Sequence, residues 1–488
     1  MGTANRTQLA FVREVTPGTT PVTPRMRTAR YVSESLSFTP NYVSSDEIRA
    51  DRMKGDPIKV MQASEGGINF ELSYPDDNTF LSDVIRSAFF NTWTNTNFRD
   101  NDGTADSVIT DVATTNEVVT CTTGTAFVAG HLCKFTGFGV TLNNGNAFKC
   151  TTGSATVPRF LGAGLTNETA PPAAARIKVV GVQGASGDIT ATASGLACTA
   201  LNFTDFPELA VGRWIKIDST TVANGFDSTA LNTFIRITAV AAKTLTCDNL
   251  PVGWTTDAGT SKTIAIYVGD QIKNGTTATA ITLERGFLDQ TVPTYIVNTG
   301  MQVNTFSLAY SSRNKITGSV SFIGMGGSTG TVALDAIPDA ATTGQVIAAN
   351  ANVGRIAEAG SQVTDPNWAK EFNLNINNNL RTIEAVDSSS PVGVNSGECT
   401  VTGNINTYFG SNSFLTKLYA GTATSHNARV NKNSQAVIVS LPRNTLMSGV
   451  PQVQGLNTDV MLSSDFQASI ETTYTNAQVL MDRLEFYA

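Results

Sequence analysis

Ile68, Phe70, Leu72 and Tyr74 alternate with Asn69, Glu71 and Ser73, and a helical spacing then takes over in Phe80-Leu81, Val84-Ile85 and Ala88-Phe89. Period two giving way to period 3.6 predicts a half-buried strand feeding a short amphipathic helix. The same order recurs about 330 residues later. There Val401, Ile405 and Thr407 alternate with polar neighbours that include Asn404 and Asn406, and Phe414-Leu415 and Leu418-Tyr419 resume at helical spacing. Asp76 to Asn78 and Ser411 to Ser413 supply side-chain oxygens able to accept from the free amides of the first helical turn. Gly421 is placed to end the second helix.

The correspondence continues on both sides. Leu36 and Phe38 precede the first strand as Phe372 and Leu374 precede the second, each followed by a polar stretch carrying arginine. Phe306-Ser307-Leu308 and residues 318–322 match Val437-Ile438-Val439 and residues 459–466. A doubled fold is the leading expectation. Its first unit is residues 31–93 plus 278–330 and its second 365–488, with an N-terminal extended arm at 1–30 and a linker at 331–364.

Two polar, turn-rich necks, around 94–103 and 274–277, bracket an insertion. Inside it Phe127 to Phe135 matches Leu209 to Ile217 at an offset of about 82, and apolar runs at 177–180 and 264–267 close each copy. Two inserted domains are expected, 94–180 and 181–277, each a small Ig-like sandwich or β-barrel projecting outward.

Composition changes this picture little. Among 488 residues 41% are hydrophobic and only 15% charged, with 41 glycines, which suits strands joined by tight turns more than helices. The fold class is mainly β. A net charge of −7 disfavours stable binding to nucleic acid. No run approaches the roughly 20 apolar residues of a membrane-spanning helix, and no secretion signal is expected. Of six cysteines, Cys121, Cys133, Cys150, Cys198 and Cys247 cluster in the insert and Cys399 stands apart, without metal-ligand spacing. They read as small buried hydrophobes.

Chemistry is sparse. His131 and His426 are the only imidazoles and fall in different domains, so no triad or metal set is expected, and no cofactor. Gly326-Gly327-Ser328-Thr329-Gly330 satisfies the form G-x-S-x-G but lacks a following helical pattern, so it reads as a flexible loop rather than a nucleophile elbow. Carboxylate pairs such as Asp76-Asp77 read as turn and cap residues. Trp214 and Trp254 read as core before they read as a carbohydrate platform. The expectation is a protein that is not an enzyme.

Several stretches nevertheless carry a family texture. Thr7 to Glu14 (TQLAFVRE), the proline-spaced segment 16–24, Glu34 to Phe38, and the run Ser45, Asp46, Glu47, Ile48, Arg49, Ala50, Asp51, Arg52 resemble the major tail tube proteins of long-tailed, siphovirus-type bacteriophages. Phe372 to Arg381 and Leu441-Pro442-Arg443 are similar to that family as well. The resemblance covers roughly residues 5–93 and 281–488 and not the insert. It implies a duplicated tail-tube β-sandwich or barrel fold with short flanking helices, self-assembly into stacked rings, and a conduit for genome delivery within the virion tail, assembled in the host cytoplasm. It implies that residues 45–52 reach the adjacent ring, with Asn378 and Arg381 in the second-half counterpart and an N-terminal arm held extended by Pro17 and Pro21. Implied partners are copies of the same chain, a tape measure protein in the lumen, tail terminator and distal tail proteins, and DNA in passage without stable binding. Because single-copy subunits of that family close as six, a doubled chain is expected to close as a trimer, with a hexamer as the alternative.

A lumen wall for DNA should repel or ignore phosphate. Acidic residues in the host segments include Glu65, Glu71, Glu371, Glu384 and Glu398. The rival classes are an extracellular β-rich adhesin or a virion decoration protein with carbohydrate-binding inserted domains, and a β-sandwich polysaccharide enzyme. The first should carry a secretion signal, which is not expected here, and the last should show convergent carboxylates with exposed aromatics, which do not cluster in the sequence.

Overall fold

Alternating apolar and polar residues pair into antiparallel ladders in which one face of each strand is buried. In the computed structural model, which describes residues 3–102, 108–228, 230, 232–453 and 455–487, the same six-strand path is laid down twice. In the first half Thr7–Arg13 pairs with Ile281–Phe287, then Thr294–Ser311, Thr317–Ile323 and Ile58–Glu71, which is edged by Ser33–Glu34 and Ser37–Val43. In the second, Val353–Glu358 pairs with Thr424–Lys432, then Gln435–Leu446, Met461–Ala468, Thr400–Tyr408 and Ala369–Asn377. The halves fuse into one sheet because Ala369–Asn377 also pairs with the first half, from Thr305↔Asn377 to Ser311↔Glu371.

Several expected boundaries shift. Thr7–Arg13 is a host strand with Leu9, Ala10 and Phe11 buried, so the extended arm is not residues 1–30 as a whole. Val353–Glu358 lies within the expected linker and is the second-half counterpart of Thr7–Arg13. Gly326–Gly330 is a strand paired with Tyr295 to Thr299 and not a flexible loop. The absent side chains allow it to pass under Phe38: a Cβ on Gly327 would lie 3.1 Å from the Phe38 ring and 2.2 Å from the Val297 carbonyl. Phe372 and Leu374 pair with Ile405 and Gly403, whereas Phe38 pairs with Ser64, so matching these two apolar pairs is out of register.

Each half carries its helix on the buried side of the sheet. Phe80–Phe89 buries nearly every residue, among them Leu81, Val84, Ile85 and Ala88. Thr79 caps it, accepting from the Ser82 amide at 3.3 Å, while the Asp76, Asp77 and Asn78 side chains bond elsewhere. Ser413–Ala420 ends at Gly421 in the left-handed region, φ 60°, but only Phe414 is buried and Asn412 makes no side-chain cap. One hydrophobic cluster runs through both halves, from Leu9 and Phe11 to Val479 and Met481.

Residues between the necks build a ten-stranded sheet with two separate cores on one face, one from Ile109 to Val179 and one from Val182 to Val268. The other face does not project freely. Trp214 and Phe234 pack on Ala436, Ile438 and Leu484 of the second half, and Leu132 and Tyr267 pack against Phe486 and Tyr487. The strand leading into the exit neck, Asp270–Lys273, pairs with Leu480–Glu485. Trp214 is 1% exposed and donates to Ser440 Oγ at 2.9 Å, and Trp254 donates to the Thr192 carbonyl at 2.7 Å, so both tryptophans are packing residues. Cys121, Cys133, Cys150, Cys198 and Cys247 are buried thiols and Cys399 is half-buried, none of them bonded to another.

Candidate lumen wall and assembly edges

In six adjacent strands the burial alternation leaves one face polar. On it stand Glu65, Asn69 and Glu71; Thr317, Ser319 and Ser321; Thr305, Ser307 and Ser311; Glu371, Asn373, Asn375 and Asn377; Thr402, Asn404 and Asn406; and Ser463, Asp465 and Gln467. Their neighbours in sequence, such as Ile68, Phe70, Phe306, Leu308, Phe372, Leu374, Val401 and Phe466, point into the core. Glu384 and Glu398 lie outside the paired strands.

At the positions paired within these six strands the face is hydroxyl, amide and carboxylate; the strands' lysines, Lys59 and Lys370, lie toward their ends, and Lys59 bonds to Gln62. Its side chains satisfy one another laterally: Ser307 with Ser319 at 2.7 Å, Thr305 with Ser321 at 2.6 Å, and Asn404 Nδ2 donating to Ser463 and Asp465 at 2.8 Å each. Bonds from Ser448 and Asn404 hold the Asp465 carboxyl below its ordinary range. At the rim Lys315, in the turn before Thr317, is neutralised by Glu71. Phosphate binding rests on clustered cations and free donors. The paired positions of this surface carry no cluster of cations.

Where the two halves repeat, Gly faces Phe. Phe70 pairs with Gly318, and Gly403 pairs with Phe466. A Cβ would lie 2.3 Å from the Phe70 ring at Gly318 and 2.3 Å from the Phe466 ring at Gly403, so each ring lies over a bare backbone. Each ring also stacks on a neighbour, Phe70 on Phe306 at 5.9 Å and Phe466 on Phe372 at 5.8 Å.

The residues singled out for contact between rings divide. Ser45, Asp46, Glu47, Ile48, Arg49, Asp51 and Arg52 lie in the loop joining Ser37–Val43 to Ile58–Glu71, where Ile48 is fully exposed and Arg49 holds Asp51 at 2.7 Å. Arg381 is exposed in the hairpin Arg381–Ile383 with Gly393–Asn395. The start of the strand Ile58–Glu71 meets the second-half loop that follows Ile383, the Gln62 amide donating to the Ser389 carbonyl at 2.8 Å. Asn378 is corrected: it is 3% exposed, and its amide donates to the carbonyls of Ala88 at 3.0 Å and Val303 at 2.9 Å, tying the first helix to the sheet. It has no surface to offer another ring. Pro17 is exposed in a turn closed by Thr16 and Thr19, and Pro21 is half-buried in a segment whose Thr20 hydroxyl contacts that of Thr282 at 2.9 Å.

A buried ion cluster not anticipated from the sequence holds the insert, the first helix and the C-terminal strand together. Arg483, 1% exposed, contacts Asp77, reaches Asp270 at 2.8 Å and Ser82 Oγ at 3.1 Å, and lies 4.2 Å over the Trp93 ring. Lys178 reaches Asp270 at 2.5 Å, and Arg176 contacts Asp77. Burial alone would raise the Asp77 carboxyl, but Lys178, Arg483 and Arg176 outweigh it and hold it well below the usual carboxylate range. The residue types were visible in the sequence, but their separation of some 400 positions left no local pattern to read.

Among the described residues no group of three or more His, Cys, Asp or Glu side chains is placed to hold a metal ion, and no helix is long and apolar enough to cross a membrane. His131 and His426 are both buried in packed interiors. No curated protein matches the chain. A family model described as phage tail tube protein matches residues 4–205 and 173–468, more than half of its length. The chain, a mainly β structural protein of the phage tail, therefore belongs to the phage tail tube protein family.

Proposed function

We propose that this chain self-assembles into stacked rings forming the tube of a long-tailed, siphovirus-type phage, and that the polar face lines the passage of the genome. The observation that carries the reading is the hydroxyl, amide and carboxylate face that spans both halves without an Arg or Lys at its paired positions, with several of its side chains bonded to one another. A polyanion moving along such a wall meets no site that traps it. The ring is a trimer with pseudo-sixfold lumen symmetry, because each chain contributes the six-strand path twice. Head-to-tail contacts build such a ring, and joining two units in one chain reduces the association entropy lost on closure.

The exposed loop 45–52 and the hairpin bearing Arg381 reach the adjacent ring, with the segment around Pro17 and Pro21 as a further tie. A tape measure protein occupies the lumen before ejection, and terminator and distal tail proteins close the ends. Assembly takes place in the host cytoplasm. Electron microscopy of the purified chain with rotational averaging of the tube cross-section tests this. Tubes with three outer masses per ring are expected; absence of rings or tubes overturns the conduit reading, and six equal outer masses overturn the trimer.

A further inference from the structure

The two halves bury different residues at one equivalent place, beside the ion pair that ties each helix to its sheet. In the first, Arg13 pairs across the ladder with Ile281 and reaches Asp83 of the helix Phe80–Phe89. In the second, Glu358 pairs with His426 and reaches Lys417 of the helix Ser413–Ala420. His426 therefore occupies the position of Ile281, and both are buried. One half has an imidazole where the other has a hydrocarbon.

The His426 site suits the neutral ring. The imidazole stacks on Phe466 at 5.0 Å and lies 6.2 Å from the Phe372 ring. Its Nδ1 donates to Asn444 Oδ1 at 2.9 Å, while Nε2 is buried with no hydrogen-bond partner among the described residues. A proton on Nε2 would add a buried charge whose N–H has nothing to donate to. Two charged groups bear on the ring, Glu358 from the paired strand and Lys417 from the helix; Asn444, Phe372 and Phe466, from the other strands against it, carry none. Glu358 is already engaged, because Lys417 Nζ lies 2.5 Å from both its oxygens and the Thr424 hydroxyl donates to one of them. Burial pushes the imidazole down to about 4, with Lys417 adding to the shift and Glu358 and Asn444 opposing it.

We propose that the second half carries an acid-operated release for its helix: as the helix lifts, His426 takes a proton from solvent on Nε2, Lys417 leaves with the helix, and Glu358 is left to the imidazolium. Little opposes that departure, since this helix buries only Phe414 and has no side-chain cap. The stability that neutral His426 contributes is present in full above about pH 6.5 and is lost as the pH falls from there toward 4. A histidine of pKa about 4 in the closed state and about 6.5 in the open one shifts the opening equilibrium about thirtyfold between about pH 7.5 and about pH 5. The first half has no such device. Ile281 does not titrate, and burial raises the Asp83 carboxyl, which favours the closed first helix more as the pH falls. Against the pull of burial, Lys178, Arg483 and Arg176 hold Asp77 well below the usual carboxylate range, so it keeps its charge across this interval. The release needs no ring and belongs to the single chain. It would uncover Phe414, Leu415 and Leu418, which now pack on the shared core.

Hydrogen exchange of the purified full chain, read by mass spectrometry and corrected for the intrinsic pH dependence of amide exchange, tests this. Amides of residues 413–421 should exchange about thirtyfold faster at about pH 5 than at about pH 7.5, and those of residues 80–90 should not follow. His426→Ile, which gives the second half the residue of the first, should remove the acceleration. Slow exchange of the imidazole C2 proton follows His131 and His426 separately, since the chain has no other histidine. His426 should titrate well below the ordinary value of about 6.5. Lys417→Met should move that titration upward, because Glu358 then has no other cation, and this decides the matter even if His426→Ile does not fold. Equal acceleration in both helices, none in the second, or acceleration that survives His426→Ile overturns the release. So does a His426 that titrates at its ordinary value, or one whose titration Lys417→Met leaves in place.

Discussion

The two halves follow one strand path but secure their helices differently. Phe80–Phe89 is buried almost throughout, capped by Thr79, and fastened at its start by Arg483 to Asp77 and Ser82. Ser413–Ala420 buries Phe414 alone, lacks a side-chain cap, and leaves Tyr419 exposed. The first helix is covered by the insert's exit neck and by the C-terminal strand; in a single chain the second has no equivalent cover. Even the ion pair from first strand to helix recurs with its charges exchanged, Arg13 to Asp83 at 3.3 Å in one half and Glu358 to Lys417 at 2.5 Å in the other. The two halves thus share a strand path while the identity of the interacting pairs differs.

The largest expected effect lies where the halves differ most. Arg483→Ala removes the cation from two buried carboxylates, Asp77 and Asp270. Breaking a buried pair from one side costs about 3–5 kcal/mol. Chemical denaturation should show a loss of that order, with the contact between insert and first half opening first. Because Lys178 and Arg176 remain beside the carboxylates, a loss below about 1 kcal/mol would mean that they suffice and that the first helix is held by apolar packing alone.

How much of this was legible in the sequence follows from the range of each interaction. The doubled strand-helix pattern, the Gly421 stop and the packed Trp214 depend on residues a few positions apart, and local periodicity carries them. Thr7–Arg13 and Val353–Glu358 were harder, since each is a strand only because a partner some 70 to 270 positions away offers it an edge. The Gly326–Gly330 strand has no apolar alternation, being admitted by the Phe38 ring that fills the space its glycines leave. Asn378 looked like a surface residue because it falls in a polar run; its burial is set by two carbonyls, Ala88 and Val303, that no local pattern connects to it.

A middle-sized effect separates the two Gly-Phe pairs. Gly318→Ala and Gly403→Ala should each cost about 1–3 kcal/mol, as overpacking does. They should differ in rescue. At Gly318 the nearest obstacle to a Cβ is the tip of the Phe70 ring, 2.3 Å away, whereas at Gly403 it is the Asn373 carbonyl at 2.2 Å. Phe70→Leu should therefore recover part of the loss in the first half, and Phe466→Leu should recover little in the second. Double-mutant cycles from thermal unfolding decide it, and equal coupling in both halves would show that the rings and not the backbone set the limit.

The smallest effect tests the helix starts. Thr79→Ala removes an oxygen that accepts from the Ser82 amide, and loss of such a cap costs about 1 kcal/mol. Asn412→Ala removes a side chain that makes no cap, and the turn there is held instead by Asn367, whose side-chain oxygen accepts from the Gly410 and Ser411 amides at 3.0 and 2.9 Å. Asn412→Ala should thus change stability by no more than a few tenths of a kcal/mol, and Asn367→Ala should exceed it, since Asn367 is buried and also donates to Ser411 and Ser413. Hydrogen exchange at the first-turn amides reports each site separately. Faster exchange after Asn412→Ala than after Asn367→Ala would show that the second helix is capped locally after all, and the contrast between the two helix starts would then fall away.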